Sequence, residues 1–142
     1  MNAYIVMKNK HQREVNDFPL FFAFNMEQFN EGMKKFGLSP NDTDKIFALG
    51  NTGGFGLCTD WNKLHEMFYR HAMELQDAID GDASGEGFIF EMFNNELADH
   101  EYIVSGDESA TLQALGITYE ELSGSEPLRH GLNLAIDAQR NE

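Results

Sequence analysis

Cysteine is almost missing from this chain: Cys58 is the only one, which excludes an internal disulfide framework. Proline occurs three times, and no Pro/Ser-rich linker, low-complexity tract or internal repeat divides the chain. The longest apolar run, Phe18–Phe24 with Pro19 inside it, falls far short of the roughly 20 residues that a membrane-crossing helix needs. The N-terminus, Met1-Asn2-Ala3-Tyr4, has no basic region followed by an apolar stretch, so it does not read as a secretory signal. Without signal or disulfides, the expected compartment is a reducing cytoplasm. The length of 142 residues fits one domain, 1–142, with a single core.

Positive charge is the scarcest quantity. From His71 to Leu128, 58 residues contain no Lys or Arg; eight of the ten lie at or before Arg70, and only Arg129 and Arg140 follow. The same segment holds fourteen acids, equal in number to the net charge of −14, and the pI is 4.6. Such a field repels nucleic acid and anionic lipid and attracts cations or basic protein surfaces. A basic protein surface is therefore the expected partner, with no direct nucleic acid and no membrane. An acidic, well-solvated face explains the same charge without any function.

What is present is enough apolar material for a core: 42 % of residues, with twelve Phe and seven Met. Ala3–Met7 alternates weakly and predicts a short strand, and His11–Asn16 reads as a loop. Phe18–Asn25 predicts a buried strand, with Pro19 near its start where a missing N–H is tolerated. Asn25, with Gln28 three residues on, predicts a capped helix through Lys35, its apolar side Met26, Phe29, Met33 and Phe36. Lys45–Leu49 and Phe55–Thr59, joined by Gly50-Asn51-Thr52-Gly53-Gly54, predict a hairpin. Asp60 is expected to cap a long helix from Trp61 to about Ile79, and a second runs from about Gly87 to Asp99. Tyr102–Val104 reads as a short strand. Asp107, Thr118 with Glu121, and Ser125 with Pro127 mark the starts of three further helical segments. The fold class is α+β, a helix-rich single domain with a small antiparallel sheet.

The sharpest motif is Asp80-Gly81-Asp82-Ala83-Ser84-Gly85-Glu86-Gly87-Phe88-Ile89-Phe90-Glu91, which resembles the twelve-residue calcium loop of EF-hand proteins. Calcium takes six to eight hard oxygens. Here Asp80, Asp82, Ser84, the Glu86 carbonyl and a bidentate Glu91 would supply them, making calcium the candidate cofactor. Two features depart from that family: Gly87 stands where an apolar residue pairs with a sister loop, and the chain has no second such loop. The competing reading is a Gly/Asp connection whose acids cap the next helix.

Other constellations are weaker. His65 and His71 are six apart, roughly 120° around a helix, unlike the pair of a zinc protease helix. Asp99-His100-Glu101 could supply a general base, or simply a His at a helix C-terminus. The glycines Gly50, Gly53, Gly54 and Gly56 lack the Lys-Ser/Thr pair of a phosphate loop. Cys58 has no neighbouring base and reads as a small packed residue.

Several phrases recur together: Phe22-Ala23-Phe24-Asn25 with Gln28-Phe29 and Glu31-Gly32, Gly85-Glu86-Gly87-Phe88-Ile89 with Met92-Phe93, Glu96 to Tyr102, and Leu115-Gly116. Over about residues 20 to 136 they resemble an uncharacterised family of small acidic proteins from phages and mobile elements of Gram-positive and gut bacteria. The resemblance implies no established activity, fold or ligand. It implies a setting in which accessory proteins target host defence.

Two functions follow as expectations. The first is a non-catalytic acidic binding protein, a phage or mobile-element accessory factor that blocks the basic nucleic-acid-binding surface of a host defence protein through Glu74, Asp77, Asp80, Asp82, Glu91, Glu96 and Asp99. The second is a calcium-binding regulatory or structural domain centred on Asp80, Asp82, Ser84, Glu86 and Glu91. An enzyme using His100 with Asp99 or Glu101 ranks third, with no substrate indicated.

Overall fold

A computed structural model describes residues 2–141. Among them are eight α-helices and one three-stranded antiparallel sheet, a helix-rich α+β fold. The order is α1 (Ala3–Asp17), β1 (Leu20–Phe22), α2 (Met26–Lys35), β2 (Ile46–Ala48), β3 (Gly54–Leu57), α3 (Trp61–Asp80), α4 (Phe88–Asp99), α5 (Tyr102–Ser105), α6 (Ser109–Leu115), α7 (Tyr119–Ser123) and α8 (Glu126–Arg140). Single 3-10 turns precede β2 and α3. The chain divides into two compact units: Gln12–Ala72, and the N-terminal segment through His11 together with everything from Met73 onward.

In the Gln12–Ala72 unit the sheet order is β1-β3-β2, with Phe21 opposite Phe55 and Phe47 opposite Gly56. The expected hairpin forms, its turn held by Thr52, whose hydroxyl donates to the Leu49 carbonyl at 2.7 Å and accepts the Gly54 N–H at 3.1 Å. The abundant phenylalanine explains the core here. The Phe21 ring lies 5.9, 5.2 and 5.3 Å from those of Phe29, Phe36 and Phe55, mostly in the edge-on geometry that aromatic quadrupoles favour. α2 reaches this cluster because position 32 is glycine; a Cβ there would overlap the Phe21 ring. Asn25 caps α2 as expected, its side chain accepting the Gln28 N–H at 2.8 Å. Gln28 returns its own oxygen to the Phe24 N–H, one residue before the capping-box position.

The second unit is built around α4 packed on α8. Ile89, Met92, Phe93 and Leu97 of α4 are fully buried, against Leu128, Leu132 and Ala135 at i, i+4 and i+7 of α8. α7 carries the expected capping box between Thr118 and Glu121, and Ser125 accepts the Leu128 N–H at the start of α8 with Pro127 in its first turn.

Four readings are corrected. Ala3–Met7 is not a strand, nor His11–Asn16 a loop: both belong to α1. Tyr4 is the one buried residue of that helix, so the sequence shows no apolar stripe; contacts from distant residues hold it instead. Tyr102–Val104 is a helical turn rather than a strand, entered through Glu101 in the left-handed region (φ 54°) and closed by Gly106. The buried strand expected over Phe18–Asn25 shrinks to Leu20–Phe22, leaving Phe22 and Phe24 54 % and 76 % exposed.

Candidate functional site: the acidic face

All seven acids expected at the site lie in the unit formed by the two ends of the chain, after Met73, but they do not form one open surface. Glu96, on the core side of α4, is only 6 % exposed. Its Oε2 lies 2.6 Å from Lys8 Nζ, which also reaches Asp99 Oδ2 at 2.9 Å. Burial alone would lower the Lys8 pKa; its hydrogen bonds to Glu96 and Asp99 outweigh that and raise it. The Tyr4 hydroxyl also hydrogen-bonds Glu96, and burial, reinforced by that negative charge, pushes its pKa well above the usual tyrosine value. Glu91 Oε2 accepts the Ala3 N–H at 2.7 Å. Glu74 Oε2 lies 2.6 Å from His11 Nε2, with Lys10 Nζ 4.0 Å from its other oxygen. Glu74, Glu91, Glu96 and Asp99 are thus all turned to α1. Asp77 and Asp80 stay exposed on α3.

The calcium-like loop uses its oxygens for other purposes. Asp82 accepts the N–H groups of Gly85, Gly87 and Ile89 at 3.2, 3.1 and 3.0 Å and the Ser84 hydroxyl at 3.1 Å. Partial burial opposes ionisation there, but these hydrogen bonds prevail and lower its pKa. Asp80 accepts from Gln76, and Glu86 Oε2 lies 3.1 Å from His130 Nε2. Gly85, at the sharp-turn position with φ +80°, faces the backbone of α8, where a Cβ would overlap the Pro127 carbonyl. Gly131 completes this close approach, since a Cβ there would overlap Ile89. Among the described residues, no three His, Cys, Asp or Glu side chains come together as a metal would require. Of these side chains only Ser84 and Asp82 touch one another, while Asp80 accepts from Gln76, Glu86 lies beside His130 and Glu91 accepts the Ala3 N–H, an arrangement that does not fit a calcium ion. The Gly/Asp connection that caps the next helix is the arrangement present.

The remaining constellations stay apart. His100 Nε2 lies 3.8 Å from Glu96 Oε1, whereas Glu101 points its backbone into the turn before α5. The His65 ring lies tilted by 37° against that of Trp61 with centroids 4.0 Å apart, and His71 Nε2 lies 3.4 Å from Glu14 Oε2. Cys58 is exposed instead of packed. No described helix is long and apolar enough to cross a membrane.

Residues 3–138 match the model of a family of unknown function (DUF7659). The chain belongs to that family. No curated protein and no solved structure matches it.

The DUF7659 match spans both compact units, and their charges differ sharply. The unit formed by the two ends of the chain has four Lys/Arg against sixteen Asp/Glu, −12; Gln12–Ala72 has six against eight, −2. Nine of the fourteen acids between His71 and Leu128 remain exposed: Asp77, Asp80, Glu86, Asp99, Glu101, Asp107, Glu120, Glu121 and Glu126. Glu86 and Glu126 flank an open groove of about 390 Å³ together with His130. Sequence reasoning missed Lys8, His11 and His130, the partners of these acids.

Proposed function

We propose that the protein is a non-catalytic acidic binding protein whose exposed carboxylates dock on the basic, nucleic-acid-binding surface of another protein and keep nucleic acid from it. The observation that supports this is the concentration of charge: −12 in one compact unit, with nine exposed acids in a stretch without Lys or Arg. Complementary fields raise the rate of encounter and compete with phosphates for the same cations. The setting that fits is a phage or mobile-element accessory factor acting on a host defence protein. The contact residues differ from those read from sequence. Asp77, Asp80, Glu86, Glu120 and Glu126 face solvent, whereas Glu74, Asp82, Glu91 and Glu96 hold the fold and Asp99 is paired with Lys8.

The test is displacement of labelled nucleic acid from basic host nucleases by the purified protein. Displacement at low salt, fading as salt rises, is the expected result. Failure to displace nucleic acid from any such nuclease at low salt ends this reading.

A further inference from the structure

The Gln12–Ala72 unit has an open edge. β1 pairs only with β3, as the sheet order β1-β3-β2 requires. The Ala23 N–H donates to the Gly53 carbonyl at 2.9 Å, so Ala23 and, two residues earlier, Phe21 face β3. Alternation then turns the backbone groups of Leu20 and Phe22 to the outside. α2 runs along this edge and closes an open groove of about 360 Å³, lined by Leu20, Phe22, Gln28, Glu31, Lys35 and Phe36 among others, with no residue from β2 or β3. Phe22 at the end of the strand, Phe24 just beyond it and Met26 at the start of α2 are 54 %, 76 % and 69 % exposed. Large apolar side chains in a row beside an unpaired strand mark an interaction surface.

The charges say what fits there. Glu31 and Lys35 stand one helical turn apart on the rim, both exposed and without an ion-pair partner among the described residues. Opposite signs at that spacing are self-complementary across a two-fold axis, where each Glu31 meets Lys35 of the partner subunit. Two chains of charge −14 repel one another, and they do so least through the unit that carries only −2. Pro19, which lacks an N–H, precedes β1 and confines the pairing to a short segment, so it closes as a pair instead of growing into a ladder. We infer that the β1–α2 groove is the interface of a homodimer in which β1 of two copies pair antiparallel and join their sheets. This inference does not depend on the acidic binding surface.

Sedimentation velocity on the full chain tests it. The wild type will show a monomer–dimer equilibrium that tightens as salt rises, because salt screens the repulsion. That dependence is opposite to the one expected for a basic partner, so the two readings fail separately. Phe22→Lys and Phe24→Lys, both at exposed positions, will each weaken the dimer by about tenfold or more while circular dichroism and melting stay as in the wild type. Glu31→Lys will weaken it, and Glu31→Lys with Lys35→Glu will restore it. A wild type that sediments as a monomer throughout overturns the inference. So does a dimer that survives both Phe substitutions, or one abolished instead by Tyr69→Lys on the exposed side of α3.

Discussion

Lys8 Nζ meets Glu96 Oε2 at 2.6 Å across 88 positions of sequence. Among the described residues Glu96 is the one charged side chain that is buried, and Lys8 is the cation that makes this acceptable. The pair also fixes α1, a helix with Tyr4 as its one buried residue, onto α4.

Removing one member should therefore cost more than removing both. Lys8→Met leaves a carboxylate in the core without its counter-charge and is expected to destabilise by about 1–3 kcal/mol in urea unfolding. Lys8→Met with Glu96→Leu should recover part of that loss. A double variant less stable than the sum of the singles would contradict the assignment.

The loop from Asp80 to Glu91 should ignore calcium. Asp82→Ala removes the acceptor of three backbone N–H groups and should cost about 1–2 kcal/mol, equally in calcium and in chelator. Gly85→Ala should cost upwards of about 1 kcal/mol, since its φ of +80° and the Pro127 carbonyl both oppose a Cβ. A melting temperature that rises with millimolar calcium, and stops rising in Asp80→Ala with Glu91→Gln, would reinstate the metal site.

Acid should weaken the fold in a defined window. Hydrogen bonding from Arg70, opposed by partial burial and aided by His71, lowers the Glu14 pKa from 4.5 to about 2. A carboxylate with a depressed folded pKa contributes stability above its unfolded value and loses it as pH falls through the folded one. Urea midpoints should thus decline from about pH 4.5 down to about pH 2, and Arg70→Met should flatten the Glu14 part of that decline. An unchanged profile in Arg70→Met would assign the decline elsewhere, with Asp82 the next group shifted in the same direction.

Much of the fold was legible where local chemistry decides it. The caps at Asn25, Thr118 and Ser125, the Gly50–Gly54 turn and the extents of α3 and α4 all read correctly because their signals lie within a few residues. α1 did not, because Tyr4, Ile5, Val6 and Met7 run together without helical spacing and the residues that hold the helix are Glu74, Glu91, Glu96 and Asp99. Ile103 and Val104 suggested a strand by their branching, yet they are 61 % and 80 % exposed on a single turn set by Glu101. The twelve-residue loop carried a true pattern of oxygens and glycine. What the pattern could not show is that Glu86 faces His130, Glu91 faces Ala3, and Gly85 exists to let α8 come close. Each of those contacts is long-range, and spacing in sequence holds no record of it.

The acids therefore fall into two groups, those that hold the fold and those free to meet a partner, and displacement of nucleic acid from a basic nuclease at low salt separates them most directly. The account predicts that Asp77→Asn, Asp80→Asn, Glu86→Gln and Glu126→Gln together lower the displacing potency by about tenfold or more, with melting unchanged. Glu27→Gln with Glu66→Gln, exposed acids of the nearly neutral unit, should leave it close to wild type. Equal losses in the two variants, or no displacement by the wild type, would contradict it.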